Sequence, residues 1–507
     1  MVPSTFTFMA EFPRTINGKL DTKGLPEPTV TRVNKFVAPI SDIQIELCKL
    51  VQHVLGCEEV GLTDGFLKLG GNSIDIMKFS WLVHSKLGLK LPVQIIFDLQ
   101  TVQGFSSFLL KGNAEVESKA KLDLMSEVVA ISGRKTAVVY KWVKKKSNII
   151  LLTGATGFLG AFILDELVKQ DKSQVYCIVR ASSVARAKSR LIHQLNECNL
   201  YFEGILDNVV VLRGDISQAN MGLESETYER LCQAVDTVIH SAAYVNHILQ
   251  YEQHRVANVV GTKNVIDFCT TGTAKRLAHI STTGVNPTLN RPVREAESIE
   301  KNYTELSSGY CQSKWVAEQV VQRAEIPSII FRAGEIGCDS RRKHYWGKTD
   351  ALRMCLHMCF KIGSYPAEFQ DRLIELTPVD VVAKSVVSIV DTADSDMKPT
   401  VNVSNPSQGI TFKEFFKGLA VGKSRTWYND LCTHSEQDSQ VFTARAYFNF
   451  LTTDEFRRLF KTYDAFPNSL ACNDLLLSLL PNEIRVEYEK PISELLLNYW
   501  MQNIVRF

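Results

Sequence analysis

The strongest constraint on this chain is an alternation of two hydrophobic patterns that begins at Asn148. The runs "NIILLTG", "QVYCIVRA", "VVVLRGD", "TVIHSAA", "RLAHISTT" and "SIIFRAG" are short and apolar, and helical patterns such as "FLGAFILDELVKQ" and "ARAKSRLIHQLNE" separate them. Strands that are apolar throughout are buried on both faces, and alternation with helices joins them in parallel. The pattern predicts an α/β fold with a doubly wound parallel sheet across residues 148–422. Between the first strand and its helix, "TGATGFLG" spaces Gly154, Gly157 and Gly160 three apart. Glycines there permit a tight turn and let the backbone approach a pyrophosphate at the positive end of the helix.

At 507 residues the chain is longer than one hydrophobic core usually organises. Residues 1–37, rich in Pro, Thr and Asn, read as an extended segment. Between 38 and 112, "SDIQIELCKLVQHVLG", "SIDIMKFSWLVHSKLG" and "TVQGFSSFLL" carry apolar residues at helical spacing and predict a small helical bundle. Residues 113–147 form a charged connector ending in "KWVKKKS", and 423–507 read as a helical subdomain. A formal net charge of +2 gives no electrostatic case for nucleic acid or an anionic membrane. The longest uncharged stretch, Asn148 to Leu164, is shorter than the ~20 apolar residues of a spanning helix, and glycines break it. The twelve cysteines include no C-x-x-C pair, which argues against a metal site and suits a reducing cytosol. A cytoplasmic protein with no membrane or nucleic-acid partner is expected.

The second strand ends at Arg180, where a dinucleotide-binding fold often carries an acid for the ribose 2′-hydroxyl; arginine instead suits a 2′-phosphate and favours NADPH. Arg190, one helix stretch on, offers a second cation or a surface ion pair. Asp215, after the third strand, sits where an acid can bond an adenine amino group. "GYCQSKWVAE" places Tyr310 and Lys314 on one helix face. An ammonium beside a phenol lowers its pKa, so Tyr310 could donate a proton to a carbonyl oxygen as hydride reaches carbon. Upstream, Ser281, Thr282 and Thr283 end a strand, and any one of them could share the developing oxyanion.

In this order the glycine turn, the hydroxyl-bearing strand end and Tyr310/Lys314 resemble the extended short-chain dehydrogenase/reductase family over roughly residues 148–420. Within it, "IVRA", "HSAAYVNHILQYEQHRVANVVGT" and "LIELTPVDVVA" are similar to the thioester reductase domains that end carboxylic acid reductases, fungal aminoadipate reductases and some nonribosomal synthetases. The resemblance implies a Rossmann domain with a C-terminal helical substrate subdomain. It implies Thr282 as the catalytic hydroxyl beside Tyr310 and Lys314, with Lys314 also holding the nicotinamide ribose. As cofactor contacts it implies Gly154, Thr156, Gly157, Phe158, Leu159, Gly160, Arg180, Arg190, Asp215, Ile216, Ala242 and Ala243, together with Tyr310 and Lys314. One departure is "GEIGCDSRRKHYWGKTD", where the family usually has a glycine-bearing segment before its Asn/Asp pair.

"TDGFLKLGGNSI" resembles the D-x-F-x-x-L-G-G-x-S motif of carrier domains, with Asp64, Phe66, Gly70, Gly71 and Ser73 in place. The resemblance implies a 4′-phosphopantetheine on Ser73, attached by a separate phosphopantetheinyl transferase; read on its own, the serine is also a sound helix N-cap. "PRTINGKLDTKGLP", residues 13–26, is similar to the closing motif of adenylation domains, with Lys19 matching the lysine that contacts the acyl adenylate. The expected protein is the carrier–reductase portion of an adenylation–carrier–reductase enzyme, using NADPH to release a tethered acyl or aminoacyl thioester as an aldehyde or, after a second reduction, an alcohol. Two alternatives stay open: a fatty acyl-CoA reductase acting on free thioesters, and a carrier scaffold that binds NADP without turnover.

Overall fold

The computed structural model describes residues 36–111, 123–132 and 148–422, apart from short interior stretches of which the longest is 342–355. The expected adenylation remnant with Lys19, the helical subdomain over 423–507, most of the connector, and residues 342–350 of the departing segment lie outside the described residues. Two compact units emerge, one on each side of residue 122 through the described chain.

The first unit is helical: α1 (Asp42–Leu55), α2 (Ser73–Leu87), α3 (Val93–Leu99) and α4 (Val102–Lys111). Ser41 caps α1 in a reciprocal box with Gln44, and Gly56 ends it in the left-handed conformation. Leu47, Val51, Phe66, Phe79, Val83, Ile96 and Phe105 form the buried interior. The rings of Phe66 and Phe105 each lie 5.4 Å from that of Phe79. This packing explains the residues ahead of Ser73. A Cβ on Gly71 would come 2.5 Å from the Phe66 ring, so only glycine lets the loop cross that side chain. Asp64 is buried and accepts from the Gly61 amide at 2.8 Å, closing the turn that delivers Phe66.

The second unit is built on a seven-stranded parallel sheet: β1 (Asn148–Thr153), β2 (Ser173–Val179), β3 (Val209–Arg213), β4 (Thr237–His240), β5 (Arg276–Thr282), β6 (Ser328–Ala333) and β7 (Thr400–Val403). Its spatial order is β7-β6-β5-β4-β1-β2-β3, so the chain reverses direction of travel between β1 and β4. That reversal opens a crevice at the carboxyl ends of the strands, the ordinary ligand position in such sheets. Helices α6 (Phe158–Lys169) and α7 (Val184–Glu197) follow β1 and β2, and α8 (Ser225–Ala234) precedes β4. Between β4 and β5 come α9 (Tyr251–His254), a π-helical turn (Arg255–Val260) and α10 (Gly261–Thr270). Helix α11 (Gly309–Arg323) leads into β6, and α12 (Val379–Thr392) precedes β7. One apolar cluster joins α6, α7 and α12 to one sheet face, and a second joins α10 and α11 to the other.

The six strands expected from the sequence are all present, and β7 is an addition. The stretch expected as a connector contains a further helix, α5 (Leu124–Ser132), whose Leu124 and Val128 are buried in the second cluster. Arg255 pairs with Glu127 of α5 at 2.6 Å. Among the described residues no helix is long and apolar enough to cross a membrane.

Candidate functional site

The crevice starts at the turn after β1. Gly154 has φ +82°, and a Cβ there would lie 2.6 Å from the Ala242 amide nitrogen at the end of β4. A Cβ on Gly160 would run into the Gly154 carbonyl, so the first turn of α6 presses directly on the loop. Gly157 is the N-cap of α6 and supplies no side-chain cap. The first-turn amides of Phe158, Leu159 and Gly160 therefore have no acceptor within the helix, and Thr156 stands partly exposed beside them. Such a cradle, with helix-start amides beside a turn that leaves no room for a Cβ at Gly154 or Gly160, fits a dinucleotide pyrophosphate.

Around it lie the other expected contacts. Arg180 and Arg190 are both exposed, and the Arg190 guanidinium donates to the Arg180 carbonyl. That bond gathers two cations at the end of β2. Asp215 Oδ1 accepts from the Ser217 amide at 3.0 Å and its hydroxyl at 2.7 Å, which fixes the carboxylate. Ile216 packs against Gly261 at the start of α10, and its carbonyl accepts from Asn264 at 2.8 Å. The Ala242 amide donates to Thr153 Oγ1 at 3.3 Å, and Ala243 is exposed.

Asn258, in the π-helical turn, is a residue that sequence reasoning passed over. Its amide group takes both backbone groups of Tyr244, at 2.7 and 3.0 Å, and donates to Ser313 Oγ at 2.9 Å. It thus ties the loop carrying Ala242 and Ala243 to helix α11, one residue from Lys314. The available signal was a lone amide side chain inside an otherwise apolar helical run.

The pleat of β5 separates the candidate hydroxyls. Ser281 is buried and donates to Glu318 Oε2 at 2.7 Å, while Glu318 is locked to Arg332 at 2.6 Å. Thr282 points the other way, is partly exposed, and accepts from the Gly284 amide at 3.2 Å, leaving its own proton to donate. Helix α11, which carries Tyr310 in its first turn, packs on β5 and on the turn after it. The ring of Tyr310 lies 6.1 Å from that of buried His254, which in turn packs on Tyr244 at 5.4 Å.

The expected lowering of the Tyr310 phenol by Lys314 is opposed by burial. The Lys314 Nζ donates to the Ile280 carbonyl at 2.6 Å and sits 3.5 Å from His279 Nε2. Loss of solvent, aided by Cys311 and Glu335, pushes the phenol above its ordinary value. Tyr310 is therefore fully protonated, in the donor form, across the neutral range. Lys314 is itself lowered to about 8, because burial outweighs the attraction of Glu318 one turn away.

Two imidazoles lie behind the site. Thr153, His240 and His279 stand in register across β1, β4 and β5. His240 bonds Thr153 at 2.7 Å and Thr262 at 3.1 Å. Burial, with Lys314, lowers His240 to about 3, and the same causes hold His279 well below 6.5. In the unfolded chain both imidazoles take up protons below about pH 6.5, whereas the folded state resists. Stability is therefore complete above that pH. It should fall by about 1.4 kcal/mol per pH unit for His240 as pH drops toward 3, with His279 adding in the same direction. Thermal melting across this range, with His240→Gln as comparison, measures it; a slope unchanged in the variant would contradict the assignment.

Residues 152–386 match the NAD-binding family described as male sterility protein, and residues 46–109 match the phosphopantetheine attachment site family. A linear gramicidin synthase polypeptide of Brevibacillus parabrevis is 30% identical over 425 residues, covering 80% of this chain and 8% of that protein. Of the next curated relatives the chain spans 32% and 40% of the length, so it corresponds to less than half of each. Among solved structures, the terminal R domain from the myxalamid PKS–NRPS biosynthetic pathway is similar at TM-score 0.64 and 29% identity, covering 76% of this chain and 98% of that one. A thiolation–reductase di-domain from an archaeal non-ribosomal peptide synthetase shares the fold, with TM-score 0.63, 22% identity, and coverage of 92% and 99%.

Proposed function

Because the chain joins a phosphopantetheine attachment domain to an NAD-binding domain of the male sterility type, we propose that it releases a carrier-tethered acyl or aminoacyl group as an aldehyde by NADPH-dependent reduction. When bound, the reduced nicotinamide supplies hydride, and phosphopantetheine on Ser73 presents the acyl group as a thioester. The chain's own residues do the rest. The Gly154–Gly160 turn and the α6 amides hold the pyrophosphate, while Arg180 and Arg190 hold the 2′-phosphate. Asp215 and Ile216 border the adenine, and Ala242 and Ala243 line the loop beside it. Tyr310 donates its proton to the thioester oxygen as charge develops there, and Thr282 adds a second hydrogen bond. Lys314 holds positive charge at the same end of α11. A phosphopantetheinyl transferase and an upstream adenylation domain complete the expected partners, in the cytoplasm.

The observation that carries this reading is the split of Ser281 and Thr282. One hydroxyl is committed to a buried ion pair, and the other is left to donate beside the helix that bears Tyr310. The test loads the carrier with candidate acyl groups, follows NADPH consumption, and identifies the product by mass spectrometry. Equal turnover of free acyl-CoA by protein lacking the pantetheine arm would favour a free-thioester reductase. Binding without turnover would favour a scaffold.

Cofactor choice is a separate expected outcome. NADPH should bind more tightly than NADH, and Arg180→Ala should weaken NADPH roughly tenfold to a hundredfold, about 1.5–3 kcal/mol, while sparing NADH. Calorimetric titration of both cofactors measures this, and equal affinities in the unmodified protein would refute the arginine's role.

A further inference from the structure

We propose that His279 is a positioning residue for Lys314, holding the lysine ammonium in one direction with a neutral acceptor. The proposal rests on the reading of the crevice as a nicotinamide site. His279 lies on β5 and is fully buried, and among the described residues the one polar partner of its ring is Lys314.

The geometry carries it. Lys314 is 2% exposed and has three donors. The Ile280 carbonyl takes one at 2.6 Å, and His279 Nε2 stands 3.5 Å away on the same strand. An ammonium only donates, so Nε2 is the accepting nitrogen and the ring proton is on Nδ1. That atom is buried with no hydrogen-bond partner among the described residues. A buried donor without a partner costs stability and calls for a physical account, which the contact of the other nitrogen with Lys314 supplies. The ring cannot turn freely either, since His240 lies 5.4 Å away and is bonded at both nitrogens.

The charges around Lys314 make a neutral acceptor the informative choice. Glu318 on its own helix, His279 on β5 and His240 on β4 interact with it directly; one step further out, Arg332 on β6 pairs with Glu318, and His254 on α9 packs on Tyr310. The Glu318 carboxylate is already engaged by Arg332 and Ser281. A carboxylate at 279 would bind the ammonium tightly and cancel its charge. An imidazole kept neutral by burial aims the ammonium and leaves its charge available for a cofactor ribose or a developing oxyanion.

The test reads the pH dependence of NADPH affinity, by fluorescence titration of the full chain between pH 7 and 10, so turnover is not required. In the unmodified protein affinity should weaken through about pH 8, where Lys314 loses its proton. Lys314→Met should bind weakly with no such midpoint. His279→Phe keeps ring and volume but removes the acceptor; its midpoint should fall by about one pH unit, a tenfold change in proton affinity. His279→Gln restores an acceptor and should return the midpoint to the unmodified position. Thermal melting identifies folded variants, and His279→Leu replaces the phenylalanine form if that fails to fold. An unmoved midpoint in the acceptor-free variant, or an equal shift in His279→Gln, overturns the proposal. If the affinity profile behaves as stated while loaded carrier is not reduced, the thioester reading fails and the role of His279 stands.

Discussion

Replacing Ser73 with alanine should abolish phosphopantetheine attachment and, with it, all turnover of carrier-tethered substrate. The loss is complete rather than partial because the hydroxyl oxygen forms the bond to the arm and no other atom of the side chain substitutes for it. Ser73 is the first residue of α2, behind the Gly71–Phe66 crossing that delivers the loop. Alanine is at least as good a helix residue as serine, so the bundle around Phe66, Phe79 and Phe105 should remain folded. Intact-mass measurement after incubation with a phosphopantetheinyl transferase and coenzyme A gives the answer. A mass gain that persists in the alanine form would place the attachment site elsewhere.

Tyr310→Phe should bind NADPH normally and reduce a loaded thioester about a hundredfold to ten-thousandfold more slowly, the range that general acid catalysis supplies. The ring stays against His254, so the change isolates the proton. The elevated phenol sharpens the expectation. Since the Tyr310 phenol is pushed above its ordinary value, no alkaline limb from this residue should appear near neutrality, and Lys314, lowered to about 8, is expected to give one there. Thr282→Val should be milder, because Tyr310 still donates one bond to the oxygen. Single-turnover NADPH consumption, with cofactor affinity determined separately, distinguishes these cases. An unmodified rate in the phenylalanine form would make Tyr310 a helix residue and nothing more.

The strands that place the crevice were legible because each is a continuous apolar run bounded by a turn, as "NIILLTG" and "RLAHISTT" illustrate. Strand β7 was not, since its four residues alternate polar and apolar as "TVNV" instead of forming a continuous apolar run, and α3 spans only seven residues. Helix α5 was hidden by charged neighbours, although Leu124 and Val128 stand four apart as a buried helical face does. At the site, spacing places Tyr310 and Lys314 on one helix face but says nothing of where the long lysine chain ends. That depends on the Ile280 carbonyl and His279, which only the packing of α11 on β5 brings within reach. The row of Thr153, His240 and His279 is invisible in sequence for the same reason, because it is a property of strand register.

The π-helical turn at Arg255–Val260 bears on chain length in a way that side-chain chemistry does not reveal. Such a turn holds one residue more than an α-helix would, so losing any one of residues 255–257 would let the helix relax to regular geometry. The extra residue is taken up inside the turn, so α9 and α10 on its two sides would keep their phase, and His254 could stay against Tyr310. What would change is the turn itself, where Asn258 holds Tyr244. The segment should therefore accept the loss of one residue that the regular helices beside it would not.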